Sequence, residues 1–131
     1  MYDSDLNPWN AVKMGPKKDI IGLLKKATEK EGLIFGLSSH RLENFWFYNG
    51  GMEFPSDVQD KSVSLYGRRL EQEKYTDEVG LDFLAHTHEL IDKYQPQLIW
   101  FDWTVNNPVI RPYFNKFMAY YYNNSIDWGR E

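Results

Sequence analysis

An aspartate stands in this sequence where its neighbours give little reason for one. Residues 98–103 read Leu-Ile-Trp-Phe-Asp-Trp, an apolar run of the kind that forms a fully buried strand. Desolvating a carboxylate there without partners would cost on the order of several kcal/mol. Asp102 lies near the C-terminal end of the run, and strands of α/β folds present ligands at that end. Side chains alternate along a strand, so Leu98, Trp100 and Asp102 share one face. A tryptophan beside a carboxylate supplies an apolar wall and a charge, which is what a sugar-binding pocket needs. The plainer alternative is that Asp102 caps the turn that follows.

A second apolar run, Leu-Ile-Phe-Gly-Leu-Ser at 33–38, reads in the same way. If it stays extended, Ile34, Gly36, Ser38 and His40 share a face. Neighbouring strands lie about 4.8 Å apart, so His40 and Asp102 can meet at one mouth. Taken alone, His40 reads as an ordinary loop histidine. Arg41 and Glu43 flank it, with a surface salt bridge as their plain reading; Glu43 is also the one nearby carboxyl that can be nominated as an acid. Metal binding is weakly supported, because His86 and His88 are two apart on a predicted helix and face different sides. Gly50-Gly51 lacks the spacing of a phosphate loop.

The elements that must position these residues follow from periodicity. Pro16 can open a helix whose apolar face is Ile20, Leu24 and Ala27, with Gly32 as its stop. Residues 39–75 show weak periodicity, and the cluster Phe45-Trp46-Phe47-Tyr48 argues against disorder there. Thr76 is a good N-cap, with Asp77 and Glu78 favourable in the first turn. Leu81, Leu84, His88 and Ile91 then give an apolar-leaning face up to Tyr94. Asn107 and Pro108 open a last helix with the face Phe114, Phe117, Met118 and Tyr121; Pro112 lies in its first turn or marks its true start. Residues 125–131 read as a turn. Helices alternating with apolar strands predict βα units and a parallel sheet. Two strands leave both sheet edges unpaired, so the expectation is a piece of a larger α/β fold.

Composition narrows the function classes. A length of 131 residues is one ordinary domain. No cysteine is present, which removes disulfide scaffolds and thiol nucleophiles. A net charge of -4 argues against a general grip on nucleic acid. No apolar run approaches the ~20 residues of a membrane helix, and Met1–Trp9 does not read as a signal peptide. Nucleic-acid and membrane partners are therefore not expected. Five Trp, nine Tyr and eight Phe make 17% of the chain, enough for a core, a sugar platform, or both.

Three stretches carry a resemblance. They are Tyr-Asp-Ser-Asp-Leu-Asn-Pro-Trp-Asn-Ala-Val-Lys-Met-Gly-Pro-Lys-Lys-Asp at 2–19, Gly-Leu-Ile-Phe-Gly-Leu-Ser-Ser-His-Arg-Leu-Glu-Asn-Phe-Trp at 32–46, and Tyr-Gln-Pro-Gln-Leu-Ile-Trp-Phe-Asp-Trp at 94–103. In this order they closely resemble the catalytic domain of α-L-fucosidases of glycoside hydrolase family 29. The resemblance implies a retaining glycosidase on a (β/α)8 TIM-like barrel, acting on fucosylated glycans and using no cofactor or metal. It makes Asp102 the catalytic nucleophile and places Ser38, His40, Trp46 and Trp100 at the sugar. Many members have Tyr-Tyr-Ser where this chain has Ser-Ser-His. The family's His-His strand would fall before Met1, and no convincing general acid/base follows Asp102. Such barrels need ~250 residues. The expectation is thus that residues 1–131 are an internal fragment of the barrel domain, weakly active or inactive alone. Its exposed sheet edges would await the missing barrel half or self-associate. Two rivals are a hydrolase for another sugar and a non-enzymatic carbohydrate-binding or assembly module.

Overall fold

The computed structural model describes residues 2–44, 49–59 and 75–129. The aromatic cluster at 45–48, Trp46 included, lies outside the described residues. Among those described, the order is helix α1 (Ile20–Lys30), strand β1 (Gly36–Ser39), two short 3-10 turns (Asn49–Met52 and Asp57–Gln59), helix α2 (Asp77–Tyr94), strand β2 (Leu98–Phe101), a 3-10 turn (Trp103–Asn106) and helix α3 (Arg111–Asp127). None of the described helices is long and apolar enough to cross a membrane.

The strands pair in parallel, with Gly36 opposite Leu98, Leu37 opposite Ile99, Ser38 opposite Trp100 and Ser39 opposite Phe101. This gives the α/β arrangement that the pattern predicts. Both strands are shorter than expected, and the N-terminal end of β1 has a clear reason. Gly32, at φ 69°, closes α1: its N–H bonds the Glu29 carbonyl, and the Leu33 N–H reaches back to the Thr28 carbonyl. That pair of bonds is a Schellman closure, and it takes Leu33 into the helix end. Leu33 and Ile34 are exposed. Pairing begins only where Phe35 and Gln97 exchange hydrogen bonds, backbone to backbone in one direction and through the Gln97 side chain in the other.

Neither strand is buried on both faces, contrary to the sequence reading. Phe35, Leu37, Ile99 and Phe101 face the packed side of the sheet. On the other side Leu98 is 52% and Trp100 61% exposed. Helices α2 and α3 form the layer on the packed side. Their common core is Val79, Phe83, Ile91, Ile110, Tyr113 and Phe117, joined by Leu42. Phe101 meets Phe83 and Phe117 edge-on, with ring centroids 5.4 and 4.8 Å apart. The two helices approach closely at Gly80, where an added methyl would sit 2.2 Å from the Tyr113 ring.

Helix faces differ from the periodic reading as well. In α2 the buried set runs through Val79, Phe83, His86, Thr87, Leu90, Ile91 and Tyr94, while Leu81 is exposed. The large ring of Phe83 is 1% exposed, and burying an aromatic ring removes a large apolar area from water. Thr87 is tolerated inside because its hydroxyl donates to the Phe83 and Leu84 carbonyls, at 2.8 and 3.0 Å. Helix α1 starts at Asp19, not Pro16: the Asp19 carboxylate accepts the Gly22 N–H at 3.0 Å. It buries no residue fully; Leu24 is exposed and Ile21 makes the contact with the core. Helix α3 begins at Arg111, with Pro112 in its first turn, and continues to Asp127 where a turn was expected. Asn107 and Pro108 belong to the preceding turn, and Met118 points outward.

The N-terminal segment is tied to α2 by the Tyr94 hydroxyl, by Lys93 and above all by the Glu89 carboxylate. Glu89 on α2 accepts the Tyr2 and Ser4 hydroxyls, each at 2.8 Å, and the Asp5 N–H. Burial pushes this carboxyl up, but those three hydrogen bonds and nearby Lys93 outweigh it and hold it below the usual range.

Candidate functional site

The parallel register brings the ends of β1 and β2 side by side. Ser38 and Trp100 are cross-strand neighbours on the exposed face, and His40 and Asp102 are the next residues outward on that face. The His40 Nδ1 lies 3.7 Å from Asp102 Oδ2, with 49% and 43% of the two side chains exposed. On the other side of the imidazole, Nε2 is 3.2 Å from the Ser38 hydroxyl. The expected meeting of the two strand ends is therefore present. Asp102 also occupies the cap position of the 3-10 turn Trp103–Asn106, but its side chain makes no capping hydrogen bond. Its carboxylate is left facing His40 and solvent.

Chemically this is an accessible carboxylate beside an imidazole, with an indole on the same sheet face. The order Ser38–His40–Asp102 resembles that of a hydrolytic triad. However, 3.7 Å is beyond a hydrogen bond, so the histidine is not locked by the aspartate as a triad requires. Trp103, also exposed, adds a second indole at this strand end. The doubled tryptophan around Phe101-Asp102 was the signal that could have singled it out.

The turn that carries His40 is fastened to the body of the protein. Arg41 does not pair with Glu43; its guanidinium grips Asp82 on α2 with two bonds of 2.7 and 2.9 Å. Leu42 enters the core, and its carbonyl accepts the Tyr75 hydroxyl at 3.1 Å. Glu43 is only 1% exposed and accepts a hydrogen bond from the Thr104 hydroxyl. Its side chain is therefore buried between the two turns rather than presented to solvent at the mouth. Sequence reasoning missed the Thr104 contact, because only the fold brings the two turns together.

His86 and His88 point to different sides of α2, as their spacing predicts. His86 Nδ1 sits 2.9 Å from the Asp82 carbonyl oxygen, and His88 stacks on Tyr120 with ring centroids 3.8 Å apart. Among the described residues no cluster of three or more His, Asp and Glu could hold a metal ion. Burial pushes the His86 imidazole below its ordinary value, reinforced by the Arg41 charge and opposed by Asp82 and Glu89. Below about pH 6.5, the ordinary histidine value, the unfolded chain therefore binds a proton that folded His86 resists. Stability is full above that pH and falls as pH drops toward the lowered folded value. Thermal melts between pH 7.5 and 5 should show this loss, and His86→Phe should flatten its share of it. A wild-type profile no steeper than the variant's would contradict the assignment.

A family model described as Alpha-L-fucosidase matches residues 1–131. The chain is 31% identical over 118 residues to an alpha-L-fucosidase of Branchiostoma floridae. It is 32% identical over 120 residues to the plasma alpha-L-fucosidase of Homo sapiens, and 29% over 119 residues to the tissue alpha-L-fucosidase of Rattus norvegicus. Each match covers 89% of this chain but only 23%, 22% and 22% of the relative, respectively. The chain thus spans less than a quarter of the length of these relatives.

Proposed function

Because the chain belongs to the α-L-fucosidase family, we propose that it forms one wall of a retaining α-L-fucosidase, with Asp102 as the nucleophile. The observation that carries this reading is the half-exposed Asp102 carboxylate at the end of a parallel strand, 3.7 Å from His40. In this reading Asp102 attacks the anomeric carbon of a terminal α-L-fucosyl residue and displaces the glycan oxygen, forming a covalent fucosyl ester. A second carboxyl, about 5–5.5 Å away in enzymes of this type, protonates the departing oxygen and then activates the water that cleaves the ester. That group comes from another part of the barrel. Ser38 and His40 meet the sugar's hydroxyls. Trp100 covers its apolar side, where burying the 6-methyl contributes on the order of 1 kcal/mol.

The one-sided sheet supports the same reading. A parallel sheet is stable when both faces are covered, and here Leu98 and Trp100 are bare. In a (β/α)8 barrel that face is the interior, and the outer edges of β1 and β2 pair with further strands. In the isolated chain the same edges can pair with a second copy.

An aryl α-L-fucoside assay tests the proposal. The 131-residue chain alone should give no turnover above buffer, since one carboxylate cannot serve both steps. A full-length α-L-fucosidase carrying this segment should hydrolyse the fucoside and discriminate against the matching aryl galactoside. Sugar binding without turnover in that complete protein would favour a carbohydrate-binding module instead, and robust turnover by the isolated chain would refute the missing second carboxyl.

A further inference from the structure

We propose that Glu43 is a positioning residue: its bond with Thr104 ties the turn after β1 to the turn after β2, and so holds His40 against Asp102. This rests on the reading of Asp102 and His40 as one site.

Glu43 is a buried titratable group for which the chemistry above has no use. It is 1% exposed and Thr104 is 2% exposed. The Thr104 hydroxyl donates to Glu43 Oε1, while Oε2 is buried with no hydrogen-bond partner among the described residues. A buried carboxyl oxygen left unpaired is destabilising, so stability alone does not account for a glutamate here. Its connections do. The Glu43 N–H bonds the His40 carbonyl at 3.1 Å, closing the turn that starts at His40. Thr104 lies two residues beyond Asp102, in the 3-10 turn that Asp102 caps. The Glu43–Thr104 bond therefore links the two turns within three residues of each partner of the pair. Other ties among the described residues fix the His40 turn to α2 through Arg41 and Asp82, to the Tyr75 hydroxyl through the Leu42 carbonyl, and to the core through Leu42, against whose cluster Val105 of the Asp102 turn also packs. The Glu43–Thr104 bond adds a directional polar link between the two turns. The strand register sets His40 and Asp102 side by side, but their 3.7 Å gap is beyond hydrogen-bond length, so the final spacing also depends on what joins the two turns just beyond the strands.

The test reads the His40 ring 1H and 15N chemical shifts by NMR at one fixed pH, in the 131-residue chain, together with each variant's melting temperature. Asp102→Asn should move the His40 signals, because it removes the facing charge. Thr104→Val and Glu43→Leu should each move them in the same direction. Glu43→Gln, whose amide oxygen still accepts from Thr104, should leave them near the wild-type position. The double variant Glu43→Leu/Thr104→Val removes both polar groups, so it should melt no lower than wild type while keeping the moved His40 signals. Thr104→Val carries the test by itself should Glu43→Leu fail to fold. If Asp102→Asn leaves the His40 signals unmoved, the pair itself is absent and the site reading fails. If Asp102→Asn moves them but Thr104→Val and the double variant do not, the site stands and the positioning role of Glu43 is refuted. A drop in melting temperature with unmoved His40 signals refutes it equally, as the mark of a purely structural contact.

Discussion

Replacing Asp102 with glycine in a full-length α-L-fucosidase carrying this segment should lower kcat for an aryl α-L-fucoside by on the order of 10^3-fold or more. That corresponds to about 4 kcal/mol of lost transition-state stabilisation. The reason is geometric. The carboxylate sits at the end of β2 with its side chain 43% exposed and without a capping bond, so no structural duty competes with attack on the sugar. Removing it should leave the fold intact, because the strand's packing rests on Ile99 and Phe101. Glycine also opens space for a small external nucleophile. Azide added to the variant should restore part of the turnover and give a fucosyl azide of inverted anomeric configuration, since it attacks from the face that Asp102 vacates. Near-normal turnover without azide would end the nucleophile assignment. Loss of activity together with loss of the folded state would show that Asp102 is instead needed for folding.

Phe83→Ala should cost about 3–5 kcal/mol of stability, a large share of the roughly 5–15 kcal/mol that a domain possesses. For a chain of this length that is a fall in melting temperature of about 10–20 °C. Phe83 is 1% exposed and its ring meets both Phe101 on β2 and Phe117 on α3. It is thus the point at which the two helices and the sheet come together, and truncation leaves a cavity that rigid neighbours cannot fill. Leu81→Ala, on the outward side of the same helix, should change stability by less than about 0.5 kcal/mol. Urea or thermal unfolding of the two variants decides between the two faces of α2. Equal losses would mean that the helix buries the Leu81 side, as simple periodicity suggests, and that the packing described above is wrong.

The same contrast shows why parts of the fold were legible and others were not. Thr76 was readable as the cap of α2 because capping is local: its side chain accepts from Val79, three residues on. The helix at 77–94 and the body of the last helix followed from patterns spanning a few turns, but not the last helix's start at Arg111 or its end at Asp127. The buried stripe of α2 was readable only in part: Ile91 is buried and Leu84 packs on the core as the period predicts, but Leu81 and Phe83 both suit an apolar face and only the partners across the interface choose between them. Apolar Leu33 and Ile34 suit an earlier start for β1, yet the helix-closing bonds at Gly32 and Leu33 claim the backbone that a strand would need. Glu43 looked like a surface residue beside Arg41. Its burial depends on Thr104, 61 positions away.

Sequence alone determined the chemistry on offer: an aspartate at the end of an apolar strand, a tryptophan two residues before it on the same face, and a motif order that marks the family. These are matters of residue type and of the two-residue strand period, which no distant contact alters. Tertiary structure alone decided that His40 stands beside Asp102, that Glu43 lies buried between their turns, and that one sheet face stays bare. Each of those depends on the register between β1 and β2 and on which helices cover the sheet, and such pairings are set by contacts between residues far apart along the chain.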